Sequence, residues 1–318
     1  MDLSIVIPVK NGGERFRQVC KVLQNQQTDY TYEVIVVDSG SSDDSVAVAK
    51  DAGFSVTEIS PQEFGHGKTR AFGASLGTGR YISFITQDAL PTDELWVEHF
   101  VEAMDSMPEA AGAFGKHVPY PECNLVDQQL LELHFNNFLR EDPYGGVEVS
   151  GENRIFSLNE GNRKVYEEDA GYRQWMGFFS DNSSIIRRSV FEQLPYADVD
   201  FAEDQEWAAR ALEAGYKKAY IPGAVVYHSH DYPLRDYPKR YFDDFASVYK
   251  IFGDTPCPTK RAMIRKILAD TKFNWGYILR RKDKSFFQRI GWCLYAFRRN
   301  GIRYRAAYRA AHQKEDKA

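Results

Sequence analysis

Carboxylates occur in this 318-residue chain at places where the local sequence would carry them to the ends of buried elements. Asp38 closes the apolar run that begins at Glu33, Asp88 follows the run Tyr81 to Thr86, and Glu203-Asp204 precedes an amphipathic segment. A carboxylate presented at a strand end is a hard oxygen ligand of the kind that Mg²⁺ or Mn²⁺ takes when it bridges two phosphates, which suits Asp88. At the end of a buried strand it can also accept the imide N–H of a uracil or thymine ring, which suits Asp38. Read alone, Asp38 ahead of Ser39-Gly40-Ser41-Ser42-Asp43 equally caps the next helix. His228 and His230 add two imidazoles, a ligand type better matched to Mn²⁺ than to Mg²⁺, or are ordinary histidines with satisfied hydrogen bonds. The stretch Phe64 to Arg70 places small residues before a helix start and supplies two cations, Lys68 and Arg70, suited to phosphate or ribose or simply solvated. It lacks the spacing of a Walker loop.

These groups need a scaffold, and the first ninety residues supply the pattern of βαβ units. Strands are expected at Leu3 to Pro8, Glu33 to Asp38, Ser55 to Ile59 and Tyr81 to Thr86, with helices near Gly13 to Gln26, Asp43 to Ala52 and Lys68 to Leu76. Val34-Ile35-Val36-Val37 is apolar on both strand faces and belongs inside a mostly parallel sheet covered by helices. In such sheets ligands bind beyond the carboxyl ends of the strands, where Lys10-Asn11-Gly12, Asp38 to Ser41 and Gln87-Asp88-Ala89 would meet. Further on, a helix is expected from Thr92, as N-cap, to Met107, then a strand Ala110 to Lys116 and a helix Asn124 to Leu139. Residues 141 to 174 show no sustained period and read as a long loop. A strand Ser184 to Ile186, a helix Gln205 to Ala214 and a strand Lys218 to Ile221 complete the body.

Several classes are set aside by the chain as a whole. The sequence opens directly on an apolar strand without a basic leader, and no run of about 18 uncharged apolar residues occurs, so a cytoplasmic protein is expected. Cys20, Cys123, Cys257 and Cys293 are too scattered for a zinc knuckle or a disulfide framework. The net charge of −5 divides into 17 Lys+Arg against 4 Asp+Glu over residues 260–318, and 23 against 41 before them. That basic tail is interleaved with Trp275, Tyr277, Phe286, Phe287, Trp292, Tyr295 and Phe297. Such a mixture fits helices lying on an anionic membrane or a plain packing helix; a strongly acidic body without a nucleic-acid signature argues against nucleic acid as a partner.

Taken together, Ser4 to Pro8, Val37 to Ser41, Gln87-Asp88 and Glu203-Asp204 resemble the family 2 glycosyltransferases with a GT-A fold, over roughly residues 1–235. Within that family, His66 to Arg70, Thr86 to Ala89 and Glu203 to Trp207 are most similar to blocks of bacterial rhamnosyltransferases. The resemblance implies an α/β GT-A catalytic domain over residues 1–235, with a helical basic region over 236–318. It assigns Pro8, Val9, Asp38, Lys68, Arg70 and Gln87 to the nucleotide, and Asp88 with His228 or His230 to a divalent metal. Asp204 becomes the base that takes the acceptor proton in an inverting transfer, Glu203 its neighbour, and Asp181, Asn182 and Trp207 contacts to donor or acceptor sugar. The implied donor is a nucleotide-diphosphate sugar, dTDP-rhamnose by preference, and the implied acceptor a lipid-linked or growing surface polysaccharide at the inner face of the plasma membrane. Two departures stand out: Thr86 replaces the first Asp of the family's Asp-X-Asp motif, and Ala71 stands where relatives commonly have Asn. The Thr86 replacement keeps a second reading open, a non-catalytic subunit of a glycan-synthesis complex that binds the nucleotide sugar. A dinucleotide enzyme is disfavoured, because no G-x-G-x-x-G follows the first strand.

Overall fold

The computed structural model describes residues 1–199 and 201–313. Its strands are β1 (Leu3–Val9), β2 (Tyr32–Asp38), β3 (Ser55–Glu58), β4 (Tyr81–Ile85), β5 (Leu90–Pro91), β6 (Ala110–Val118), β7 (Val147–Ser150), β8 (Asn153–Phe156), β9 (Ser183–Arg187) and β10 (Lys217–Tyr227). The helices of the first half are α1 (Gly13–Gln24), α2 (Ser45–Asp51), α3 (His66–Leu76), α4 (Trp96–Ser106) and α5 (Leu125–Asn136). Those of the second half are α6 (Arg163–Glu168), α7 (Ala170–Gly177), α8 (Arg188–Phe191), α9 (Glu203–Glu213), α10 (Tyr237–Phe252), α11 (Lys260–Arg280) and α12 (Phe286–Ala311).

All strands join one sheet in the order β3-β2-β1-β4-β9-β6-β10-β8-β7, with β5 added beside β10. The first four are mutually parallel, β9 runs antiparallel between β4 and β6, and β10 returns parallel to β6. One face buries Ile5, Ile7 and Val36 under Phe16, Val19 and Leu23 of α1 and Trp96, Phe100 and Met104 of α4. The other buries Val6, Phe84, Phe114 and Tyr220 under α7 and α9, where Trp175 and Trp207 sit. Gly73 lets α3 lie flat on that face: an added Cβ there would stand 2.4 Å from a methyl of Val6.

Three expectations fail for tertiary reasons. The helix expected from Thr92 begins only at Trp96, because Leu90 and Pro91 pair with β10 and draw the Thr92 N–H onto the Val225 carbonyl, 3.0 Å away. Sheet pairing thereby overrides the local cap. The expected loop 141–174 instead holds the hairpin β7–β8, which extends the sheet past β10, followed by α6 and α7. These elements are too short to show a period, and their buried anchors, Ile155, Phe156, Tyr166 and Trp175, are spread among polar residues. Finally, β10 does not stop before Pro222-Gly223 but absorbs them in a bulge between Ile221 and Val225, and runs on to Tyr227.

The basic C-terminal segment forms α10, α11 and α12, which pack on one another and seat on α5. The seat is partly apolar, with Leu125 and Val126 against Ile278 and Ala296, and partly polar, with Asn274 donating to Gln129 (2.9 Å) and Arg299 paired with Asp127. Residues 314–318, the end of the expected basic region, lie outside the described residues. Among the described residues no helix is long and apolar enough to cross a membrane. All four cysteines are buried free thiols.

Candidate active site

The loops leaving β1, β2 and β4 at their carboxyl ends are laced into one rim. Asn11, held at φ 51°, receives a hydrogen bond from the Ser42 N–H (2.7 Å) and gives its own N–H to Ser41 Oγ (2.8 Å). Asp38 is buried at the end of β2 and accepts from the N–H groups of Gly40 (3.0 Å) and Ser41 (2.9 Å) and from the Ser41 hydroxyl. It shapes the turn after β2 and does not cap α2, which starts seven positions later at Ser45. Gln87 turns its amide onto the main chain of Lys10, accepting from its N–H at 2.8 Å and donating to its carbonyl at 3.2 Å. Gln87 therefore ties the β4 loop to the β1 loop. Of the two residues expected to line a nucleotide pocket, Pro8 is partly exposed, while the Val9 side chain is turned into the core beneath α1.

Asp88 lies on this rim, with Tyr120 donating to its carbonyl (3.0 Å). The bulged β10 delivers His228 and His230 to it: His228 Nε2 is 3.7 Å from one carboxylate oxygen and His230 Nδ1 is 3.6 Å from the other. One ligand atom from each residue lies within 4.8 Å of the others. Burial is the main cause of a low His228 pKa, about 4; the Asp88 carboxylate opposes it, and the charges of His230 and Arg240 add to it. Burial likewise lowers His230. Both rings are neutral near pH 7, so carboxylate and imidazole lone pairs converge on one point with no protonated ring between them. That is the electronic condition of a metal site, and one carboxylate with two imidazoles suits Mn²⁺ better than Mg²⁺. The second ring nitrogen of His228 lies 3.4 Å from the Asn182 amide nitrogen; with the amide turned so that its oxygen faces the ring, Asn182 would accept the Nδ1–H that ligation through Nε2 requires. Thr86, where the family motif has an Asp, keeps its buried hydroxyl without a hydrogen-bond partner.

The second cluster starts one residue before Asn182. Asp181 is buried and accepts from the hydroxyls of Ser184 and Tyr196, both at 2.8 Å. Arg70 reaches it from α3, Nε to Oδ2 3.3 Å, and pairs with Glu203 Oε1 at 2.5 Å. Asp204, beside Glu203 in the first turn of α9, accepts from the Asp181 N–H (3.0 Å) and its own helix's Gln205 N–H (2.8 Å). The turn is entered through Ala202 in a left-handed conformation (φ 61°, ψ 37°), which costs a non-glycine residue about 1–2 kcal/mol. Gly67 makes room for it: a Cβ there would stand 3.2 Å from the Glu203 Cβ.

One guanidinium thus serves three acids, which leaves their charges incompletely balanced. Burial raises Asp181 to about 6 against the pull of Arg70, and burial, then Asp181 and Glu203, raise Asp204 well above the usual range. Asp204 remains partly exposed, whereas Glu203 is buried.

Three expected contacts are corrected. Arg70 is no free phosphate ligand, because its buried guanidinium is engaged by Glu203 and Asp181; Lys68, two residues earlier, is the exposed cation. Asp181 cannot meet a sugar, because Ser184, Tyr196 and Arg70 surround its carboxyl. Trp207 is fully buried against Phe179 and gives its indole N–H to the Leu194 carbonyl (2.9 Å), which makes it core. Tyr120, Tyr196 and the supporting His117, whose ring lies 5.4 Å from that of His228, were not legible as site residues, because β6 and the segment leaving it bring His117 and Tyr120 and the segment after α8 brings Tyr196, none of them in a recognisable motif.

Known proteins resemble this chain in sequence and in fold. The family model described as "Glycosyl transferase family 2" matches residues 4–194. The O-antigen chain rhamnosyltransferase RfbN of Salmonella typhimurium is 34% identical over 248 residues, 76% of this chain and 71% of that protein. WbaN of Salmonella anatum, also described as an O-antigen chain rhamnosyltransferase, is 32% identical over 76% of this chain and 70% of its own. Among solved structures, the mannosyltransferase PcManGT from Pyrobaculum calidifontis, in complex with GDP-Man and Mn²⁺, superposes with a TM-score of 0.57 at 14% identity, covering 98% of this chain and 88% of that one. The expected GT-A fold is borne out by that likeness.

Proposed function

Because the chain belongs to glycosyl transferase family 2 and is homologous to O-antigen rhamnosyltransferases, we propose that it is an inverting, metal-dependent transferase. Its donor is a nucleotide-diphosphate sugar, dTDP-rhamnose by preference, and its acceptor a lipid-linked or growing surface polysaccharide. The observation that carries this reading is the fork at residues 181–182: Asn182 touches the His228 ring, and the preceding N–H holds the Asp204 carboxyl. Metal cluster and acid cluster are thereby fixed on opposite sides of one short segment.

In this mechanism Asp88, His228 and His230 hold the divalent ion, which supplies charge neutralisation for the donor diphosphate. Asp38 and Pro8 receive the nucleobase, and Gln87 holds the β1 loop against it. The acceptor hydroxyl attacks the anomeric carbon as the bond to the β-phosphate oxygen breaks, and its proton passes to Asp204. A raised Asp204 pKa makes this carboxylate a stronger base once ionised, and the charge of Arg70 partly offsets the burial and the neighbouring Asp181 and Glu203 that raise it.

The acceptor would be met at a membrane surface. Ile264, Leu268, Trp275 and Leu279 of α11 and Phe286, Phe287, Ile290, Leu294 and Phe297 of α12 are exposed, Phe287 at 84%. Arg261, Arg265, Lys282, Lys284 and Arg289 flank them, the pattern of an interfacial surface for anionic lipid.

Nucleotide release from a panel of dTDP- and UDP-sugars with Mn²⁺, Mg²⁺ or EDTA, with and without vesicles containing anionic phospholipid, tests the proposal. Metal-dependent turnover of one donor and co-sedimentation with the vesicles are expected. A chain that binds a donor yet turns over none, with any acceptor-bearing lipid, would be the non-catalytic subunit instead.

A further inference from the structure

With Arg70 buried in the acid cluster, the site lacks the guanidinium that the sequence placed beside the phosphates, and α10 presents another. Arg240 is exposed in the first turns of that helix, its guanidinium carbon 4.1 Å from the centre of the Tyr232 ring. Tyr232 stacks in turn on His230, with centroids 5.0 Å apart and planes inclined by 27°. His230 faces Asp88 at 3.6 Å, so carboxylate, imidazole, phenol and guanidinium form one continuous stack of contacts. Tyr237 closes the far side, edge-on to Tyr232 at 5.9 Å and stacked on Tyr241 at 5.2 Å.

The neighbouring guanidiniums are committed elsewhere: Arg299 to Asp127, and Arg15 to Glu122 above the Tyr120 ring. Arg240 has no ion pair with a carboxylate among the described residues. A guanidinium laid on an aromatic face loses little hydration there and keeps its N–H edge free to donate to an oxyanion. Asp88 cancels half the charge of a bound divalent ion, which leaves a donor diphosphate incompletely neutralised. That deficit grows during transfer, because the electron pair of the broken sugar–oxygen bond stays on the β-phosphate.

We propose that Arg240 is a catalytic residue that donates to the β-phosphate and stabilises the departing nucleoside diphosphate, with Tyr232 as the platform that aims it. The assignment rests on the glycosyltransferase reading above. No proton moves to or from Arg240: the acceptor oxygen bonds to the anomeric carbon, its proton goes to Asp204, and the guanidinium meets the growing negative charge.

Calorimetric titration of wild type, Arg240→Ala and Arg240→Lys with UDP, UMP, dTDP and dTMP in Mn²⁺, and with Mn²⁺ alone, tests it. Arg240→Ala is expected to weaken diphosphate binding at least tenfold, to leave monophosphate and Mn²⁺ binding within about twofold, and to lower kcat more than it raises KM. Arg240→Lys should recover part of the loss. Unchanged diphosphate affinity in Arg240→Ala overturns the proposal, and so does an equal loss of Mn²⁺ affinity, which would mean that the residue merely packs the Tyr232–His230 stack. If wild-type protein binds neither UDP nor dTDP with Mn²⁺, the glycosyltransferase reading itself fails and the role of Arg240 falls with it.

Discussion

Replacing Arg70 by Met separates a buried strut from a phosphate ligand. The guanidinium is 6% exposed and Glu203 is 4% exposed, so little solvent screening reduces their interaction. Removing one member of a buried pair costs about 3–5 kcal/mol, because the partner is left charged and desolvated. For a chain of this size that corresponds to a Tm lower by roughly 4–8 °C. The deficit should also depend on pH. Without Arg70 the buried Asp181 carboxyl loses the cation that opposes its raised pKa, so the folded variant binds protons that the unfolded chain releases, and its stability grows as pH falls towards the ordinary carboxylate range. Urea and thermal unfolding of wild type, Arg70→Met and Arg70→Met/Glu203→Gln between pH 5 and 8 would measure this. The single variant should be weakest at pH 8 and recover at pH 5, and the double variant should regain about half the loss. An Arg70→Met protein as stable as wild type, with a flat pH response and only its donor affinity reduced, would refute the buried-strut account.

Other consequences follow from the same geometry. Asn182→Ala removes the partner of His228 Nδ1, and Mn²⁺ affinity measured by paramagnetic resonance should fall roughly tenfold with little change in Tm. The rate of transfer should fall as pH drops through the raised Asp204 pKa, with a midpoint above the ordinary aspartate range, while stability changes the other way because the folded state there binds more protons than the unfolded chain. A pH–rate profile paired with a pH–Tm series checks both signs; a flat rate down to pH 4 would contradict them. Ala202→Gly should be neutral or stabilising by up to about 1 kcal/mol in urea unfolding, since it relieves a positive φ, whereas Ala211→Gly within α9 should cost about 1 kcal/mol.

How far the sequence could be read depends on where each side chain finds its partners. β1, β2 and β4 were legible because their apolar runs are buried on both faces, and Asp38 and Asp88 were legible because they end such runs. His228 and His230 stood out as residue types, but the bulge that aims both at Asp88 depends on pairing between β10 and β6, which no local pattern records. Arg70 and Trp207 were misplaced for the opposite reason. Each lies in a block whose resemblance to bacterial rhamnosyltransferases suggested a ligand contact, and only the packing of α3 and α9 across the sheet shows that the side chains point inward. Arg240 and Tyr232 went unnoticed because a stack built from a loop and the following helix has no signature in spacing.

If the metal triad and the acid cluster form one site with separable tasks, substitutions in each should have different effects. Mn²⁺-dependent donor binding and single-turnover sugar transfer, measured side by side in wild type, His228→Ala and Asp204→Asn, test this most directly. His228→Ala should lose Mn²⁺-dependent binding and transfer together, and Asp204→Asn should bind donor and Mn²⁺ as wild type does while transferring at least about a hundredfold more slowly. Transfer by Asp204→Asn at the wild-type rate would remove Asp204 as the base, and unimpaired Mn²⁺-dependent donor binding by His228→Ala would remove His228 from the metal site.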